Sequence, residues 1–176
     1  YDDNGEMLPE EFSDALTALK GFAESDLSSG VVFSAGFNRR LYAHCAKFKD
    51  FFPDENGVIK KKIILKVSDF RSSVIQGKFL AKKGIWISEH RIESGLNCGG
   101  HAFATDGFLM GPILNEFLEQ KQGLFTKLKE TCNEVLSSLD KPLLQDPHTC
   151  VTVQGGIGTS KEREFLLRYY DIAATG

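Results

Sequence analysis

The residues best placed to do chemistry form the run Gly95-Leu96-Asn97-Cys98-Gly99-Gly100-His101. Two consecutive glycines, Gly99 and Gly100, remove every Cβ from the backbone just ahead of an imidazole. Main chain can therefore approach a flat or anionic ligand closely while His101 points at it. A second glycine pair follows in Val151-Thr152-Val153-Gln154-Gly155-Gly156-Ile157-Gly158-Thr159. The first pair comes after the apolar run Ile85-Trp86-Ile87-Ser88 and the charged run Glu89-His90-Arg91-Ile92-Glu93, and the second comes directly after an apolar run. Glycine pairs at two strand ends of one chain point to a phosphate-bearing cofactor site. The structural alternative for Gly155-Gly156 is a bare strand-to-helix turn.

The remaining reactive side chains carry less signal. Cys45, Cys98, Cys132 and Cys150 show neither C-x-x-C spacing nor a metal-finger pattern, so no metal site is expected and the thiols read as reduced. Cys98 stands apart only because it lies inside the glycine loop. His44 and His148 sit beside apolar helix and strand residues and read as structural. Lys60-Lys61-Lys62 reads as a solvated strand entrance. With a formal net charge of −3 there is no basic field for nucleic acid. No apolar run approaches the roughly 20 residues that span a bilayer, and no signal peptide opens the chain. A cytoplasmic protein with a small-molecule substrate is the expectation.

Positioning these residues requires a scaffold, and its elements are readable. Leu8, Phe12, Ala15, Leu16, Leu19 and Phe22 recur at helical spacing over 8–23. A short strand at 31–35 follows. Asn38 caps a helix predicted to run to about residue 52, where Pro53 breaks it. A strand at 63–67 leads to a helix capped by Ser68 or Asp69, and then to a strand at 85–88. A long helical stretch covers 112–139, with Gly123 as a candidate division. A strand at 150–154 precedes a helix opened by the capping box of Thr159 and Glu162. A last strand begins at 171–174. The order is helix, strand–helix four times, then strand. The strands read as continuously apolar, which predicts a parallel sheet covered on both faces. A closed (β/α)8 barrel needs eight strands and roughly 250 residues. The fold class is therefore α/β of the parallel TIM-barrel type, with about five of eight strands present. Residues 1–176 are expected to be a single domain, the later portion of a larger barrel.

In order, spacing and loop glycines, residues 30–176 resemble the C-terminal part of the FMN-dependent TIM barrels of the nitronate monooxygenase and flavin-dependent enoyl-acyl-carrier-protein reductase family. That family's sixth strand ends in G-x-E-A-G-G-H, matched here by Gly95 to His101 with Asn97 at the acidic position. Its seventh ends in G-G-I, matched by Gly155-Gly156-Ile157, and its eighth in G-T, where Gly176 falls. The residues after the histidine, Ala102-Phe103, depart from the family's small residue and glycine. The resemblance implies an FMN cofactor, with Gly99 and Gly100 close to the flavin. Gly155 and Gly156 would donate backbone N–H groups to its phosphate, near the helix N-terminus at Thr159 or Ser160. Lys66 would reach the flavin or phosphate from the rim, or else extend to solvent. His101 would transfer a proton to or from substrate carbon, the substrate being a small or acyl molecule. Two other functions fit the same residues: a flavin-free phosphate-binding barrel lyase or isomerase, and a non-catalytic barrel serving as an assembly module, completed by the missing part of the barrel or a larger complex.

Overall fold

The computed structural model describes residues 4–93 and 110–176. The run that carries Gly99, Gly100, His101 and Cys98 lies outside the described residues. The elements are α1 (Asp14–Glu24), β1 (Ser29–Phe33), α2 (Arg39–Cys45), β2 (Lys61–Val67), α3 (Phe70–Ala81), β3 (Ile87–Glu93), α4 (Met110–Ser138), β4 (Cys150–Gln154), α5 (Ser160–Tyr169) and β5 (Ala174–Thr175). Short 3-10 turns occupy Glu10–Phe12 and Lys49–Phe51. The five strands pair in the order β1-β2-β3-β4-β5, and every pairing is parallel. The chain is thus α/β, as the alternation of elements predicts, and the sheet is compatible with a partial β/α barrel-like fold.

The local signals that start the helices act as the sequence implies. Asn38 accepts a hydrogen bond from the Leu41 N–H at 3.0 Å, and Asp69, rather than Ser68, caps α3 by accepting from Ser72 at 2.6 Å. Both bonds satisfy amides that a helix N-terminus leaves without partners. Other boundaries differ from expectation. The first helix begins only at Asp14, leaving Leu8 and Phe12 exposed. Helix α2 stops at Cys45, and the tight turn that follows lets the adjacent Phe51, Phe52 and Pro53 all be buried. Gly123 does not divide α4; a Cβ there would meet nothing within 4 Å, so this is a solvent-facing glycine that costs the helix about 1 kcal/mol.

The two faces of the sheet are chemically different. Ile63, Leu65 and Val67 of β2 point to one face with Ile92 of β3 and Val151 and Val153 of β4, all buried. The helices cover this face. Tyr42 of α2 stacks on Phe33 at 4.9 Å, Ser73 of α3 and Phe125 of α4 both meet His90, and Leu166 of α5 shares a cleft with Val153. Helices α3 and α4 pack directly, with Phe70 edge-on to Phe117 at 5.1 Å. Lys61 is fully buried at the start of β2. Its Nζ donates to the carbonyl and hydroxyl oxygens of Ser25, each at 2.8 Å, and lies 4.5 Å from the Phe22 ring centroid. The opposite face carries Lys66, Glu89, Arg91, Glu93, Thr152 and Gln154, none of them fully exposed. Among the described residues the helices cover one face only, and the strands alternate apolar with polar instead of being continuously apolar.

β3 is the element that differs most from the sequence reading. The strand extends to Glu93, so the charged run expected to follow the strand is the strand itself. The β2–β3 register shifts between Ile63 and Ile64, leaving Ser88 as an extra residue. Such a bulge lets Ile87, His90 and Ile92 all face the helices while Glu89, Arg91 and Glu93 face the other way.

A buried lysine fixes the turn into β5. Lys121 of α4 donates through Nζ to the Asp171 carboxylate at 2.6 Å and to its backbone carbonyl at 2.9 Å. Asp171 holds a left-handed φ of 51°, unusual for a residue with a side chain. Lys121→Met keeps the apolar stem but leaves that turn untethered. We expect it to lower the unfolding free energy by about 1–2 kcal/mol, because the Asp171 end is solvated. Urea titration at neutral pH reads this directly, and an unchanged midpoint would remove the tether from the account.

Candidate functional site

The C-terminal edge of the sheet is where the second glycine pair falls. Gly155 and Gly156 follow β4 with φ of 85° and 77°, two successive left-handed residues that only glycine adopts without strain. The Gly155 N–H donates to the Gly176 carbonyl at 2.9 Å, and the Gly176 N–H to the Val153 carbonyl at 2.9 Å. These bonds carry the β4–β5 ladder one step past β5 and set Gly176 beside the turn. Among the described residues, nothing accepts from the N–H groups of Gly156 and Ile157. Gly155, Gly156, Val153, Ile157, Phe165, Leu166 and Met110 line a cleft of about 190 Å³ with Glu162 also on its wall.

The capping box at Thr159 forms and has a consequence for the site. Glu162 donates its N–H to the Thr159 hydroxyl, and its carboxylate accepts from the N–H groups of Gly158 and Thr159 at 2.9 and 2.8 Å. The hydroxyl of Thr159 and those two amides hold the Glu162 carboxyl below its ordinary range. The carboxylate thus takes the two amides just ahead of α5, those of Gly158 and Thr159, and sets its negative charge at the helix N-terminus. An anion at this turn would meet the loop amides of Gly156 and Ile157 beside a helix terminus that the Glu162 carboxylate already occupies.

Lys66 lies on the polar face, one residue from the end of β2. Its Nζ is 2.7 Å from Glu93 Oε1, so it is neither a free rim cation nor a group extended to solvent. Two strand spacings separate it from β4, on the order of 10 Å. It does not touch the Gly155–Gly156 turn. Beside it, Arg91 Nε donates to Glu89 Oε1 at 2.7 Å, and Thr152 Oγ1 donates to the same oxygen at 2.5 Å. Thr152 was invisible as a site residue in the sequence; its alternation with the inward Val151 and Val153 was the available signal.

The other reactive groups are structural. His90 is buried, shares a 2.6 Å hydrogen bond with Ser73, and is neutral because burial pushes it down to about 3. It takes no part in the polar face. His44 is buried edge-on to Phe48, with its pKa lowered first by burial and then by Lys47. The His148 carbonyl accepts from Trp86 Nε1 at 2.9 Å. Cys45, Cys132 and Cys150 are free thiols; burial pushes the first two up to about 12, which makes them inert. Among the described residues no group of His, Cys, Asp or Glu is arranged to hold a metal, and no helix is long and apolar enough to cross a membrane.

Comparison with protein-family models, with curated proteins and with solved structures found no match.

Proposed function

We propose that this chain forms the later strands of a (β/α)8-type barrel that binds FMN at its C-terminal rim and acts as an oxidoreductase on a small organic substrate. The barrel reading is supported by strand order. Sheets wound in both directions reverse their order at a switch point, whereas here each strand pairs with its sequence neighbours and the helices lie on one face. The observation that carries the cofactor reading is the Gly155–Gly156 turn. It has no side chain in the way and two amides, those of Gly156 and Ile157, without an acceptor among the described residues.

The residues fit the phosphate end of FMN. Gly156 and Ile157 would hold it through N–H groups, as oriented backbone amides commonly hold anions. Glu162, bound to the adjacent Gly158 amide, would stand close to that phosphate, and its full exposure weakens the repulsion without removing it. Lys66, held by Glu93 about two strands away, faces the region where the rest of the nucleotide would extend. When bound, the flavin supplies a ring that exchanges two electrons with the substrate. On the sequence resemblance, His101 would hold or release the proton at the substrate carbon.

A visible absorption spectrum of the purified protein, before and after reconstitution with FMN, tests the reading. Bound oxidised flavin is yellow, and a protein that stays colourless ends the proposal. A phosphate-binding lyase or isomerase would be colourless but would still bind inorganic phosphate at the same turn. Gly156→Val should abolish flavin binding. A branched side chain is strained at φ 77° and fills the approach to the two amides. Full flavin stoichiometry in that variant would place the phosphate elsewhere.

A further inference from the structure

The polar face of the sheet carries two ion pairs, Lys66–Glu93 and Arg91–Glu89. Lys66, Arg91 and Thr152 form one cross-strand row. All are part-buried, the four charged side chains between 13% and 27% exposed. These four charges cancel in pairs, and Lys62, exposed near the start of β2 on the same face, adds a further positive charge. The two paired cations are not equivalent. Arg91 spends only Nε on Glu89, and its two terminal NH2 groups meet no acceptor among the described residues. The same Glu89 oxygen also accepts from the Thr152 hydroxyl. Among the described residues, the edge of Arg91 away from Glu89 is a planar pair of donors without an acceptor, held through Nε by a carboxylate that Thr152 also bonds. It stands next to a lysine that Glu93 fixes in place. Anchored in this way, a guanidinium fork matches a carboxylate in shape and charge.

We propose that Arg91 is a specificity-determining residue that binds the carboxylate of a small polar substrate, and that the cavity rejects long acyl chains. The inference rests on the reading that this face lines the substrate cavity. An acyl chain laid against it would strip water from Lys66, Glu89, Arg91 and Glu93 and return no hydrogen bond. A short carboxylate pairs with the terminal donors of Arg91, which meet no acceptor among the described residues. It meets Glu89 and Glu93 only behind their cations, so repulsion from these acids is offset.

Calorimetric titration of the full chain with glycolate and with succinate, against octanoyl-pantetheine, tests this. The carboxylates should bind, and octanoyl-pantetheine should not. Arg91→Lys keeps the charge and removes the fork, and should weaken carboxylate binding at least tenfold. Arg91→Gln should weaken it further, and high salt should weaken the wild type. Should Arg91→Gln fail to fold by circular dichroism, Arg91→Lys carries the test. Failure of both carboxylates to bind, preference for the octanoyl ester, or wild-type affinity in the folded variants overturns the proposal. Flavin content is measured on the same samples. Arg91-dependent carboxylate binding without flavin sinks the cofactor reading alone, and flavin with acyl preference sinks this one alone.

Discussion

Acidification from pH 7 to about pH 4 should cost this protein about 3 kcal/mol of stability through His90 alone. The ring is buried between Ser73 of α3 and Phe125 of α4, and burial lowers its pKa from 6.5 to about 3. The unfolded chain takes up a proton near pH 6.5, whereas the folded one does not until about pH 3. Between these values the unfolded state binds more protons, so stability falls as pH falls, by about 1.4 kcal/mol per pH unit. The contribution is intact above pH 6.5. His44, also lowered by burial, acts in the same direction. The control is the pair His90→Phe with Ser73→Ala, which keeps an aromatic ring against Phe125 and leaves no hydroxyl stranded. Urea unfolding at several pH values should show a flatter profile for the double variant. Retention of the full acid slope would assign it to other groups.

His101→Ala should lower turnover on the order of 10²–10⁴-fold, the usual contribution of an imidazole placed for proton transfer, while leaving FMN bound. The separation follows from where each task falls. In the proposed arrangement, flavin binding rests on the amides of Gly156 and Ile157, which a substitution at residue 101 does not alter. Proton transfer at carbon rests on the imidazole. Three readouts divide the two: flavin per chain, single-turnover flavin reduction, and exchange of the substrate's carbon-bound deuterium with water. The variant should keep the first and lose the other two together. Wild-type exchange and reduction in His101→Ala would take histidine out of the mechanism.

Much of the scaffold could be read from the chain because local chemistry determines it. Asp69 and Thr159 are the right residue types at the right spacing to cap helices, and both do so. The alternation of strand and helix segments is likewise a local pattern, and it yields the all-parallel sheet. β3 resisted because two local signals conflict there. The bulge at Ser88 interrupts the two-residue period, and the polar residues beyond it look like loop to a reading that expects both faces buried. The site was legible to the same degree. Glycine pairs announce themselves, so Gly155 and Gly156 were visible. That the Gly155 amide goes to Gly176, or that Lys66 pairs with Glu93, depends on cross-strand neighbours that no sequence window contains. Glu162 was read correctly as a capping residue. Its second effect, taking the Gly158 and Thr159 amides and placing a carboxylate at the helix N-terminus, emerges only from geometry.

The unbroken strand order β1-β2-β3-β4-β5 also bears on how the chain is made. Every sheet contact joins consecutive strands, so the sheet can grow from one end in the order of synthesis. Each strand leaving the ribosome finds its docking edge already formed, and no strand has to be threaded between two that have paired. Closing one crossover at a time keeps the entropic cost of each step low. The same arrangement leaves a bare edge at the growing end throughout translation. Until the next strand arrives, that edge is the part of the nascent protein most open to pairing with a neighbouring chain.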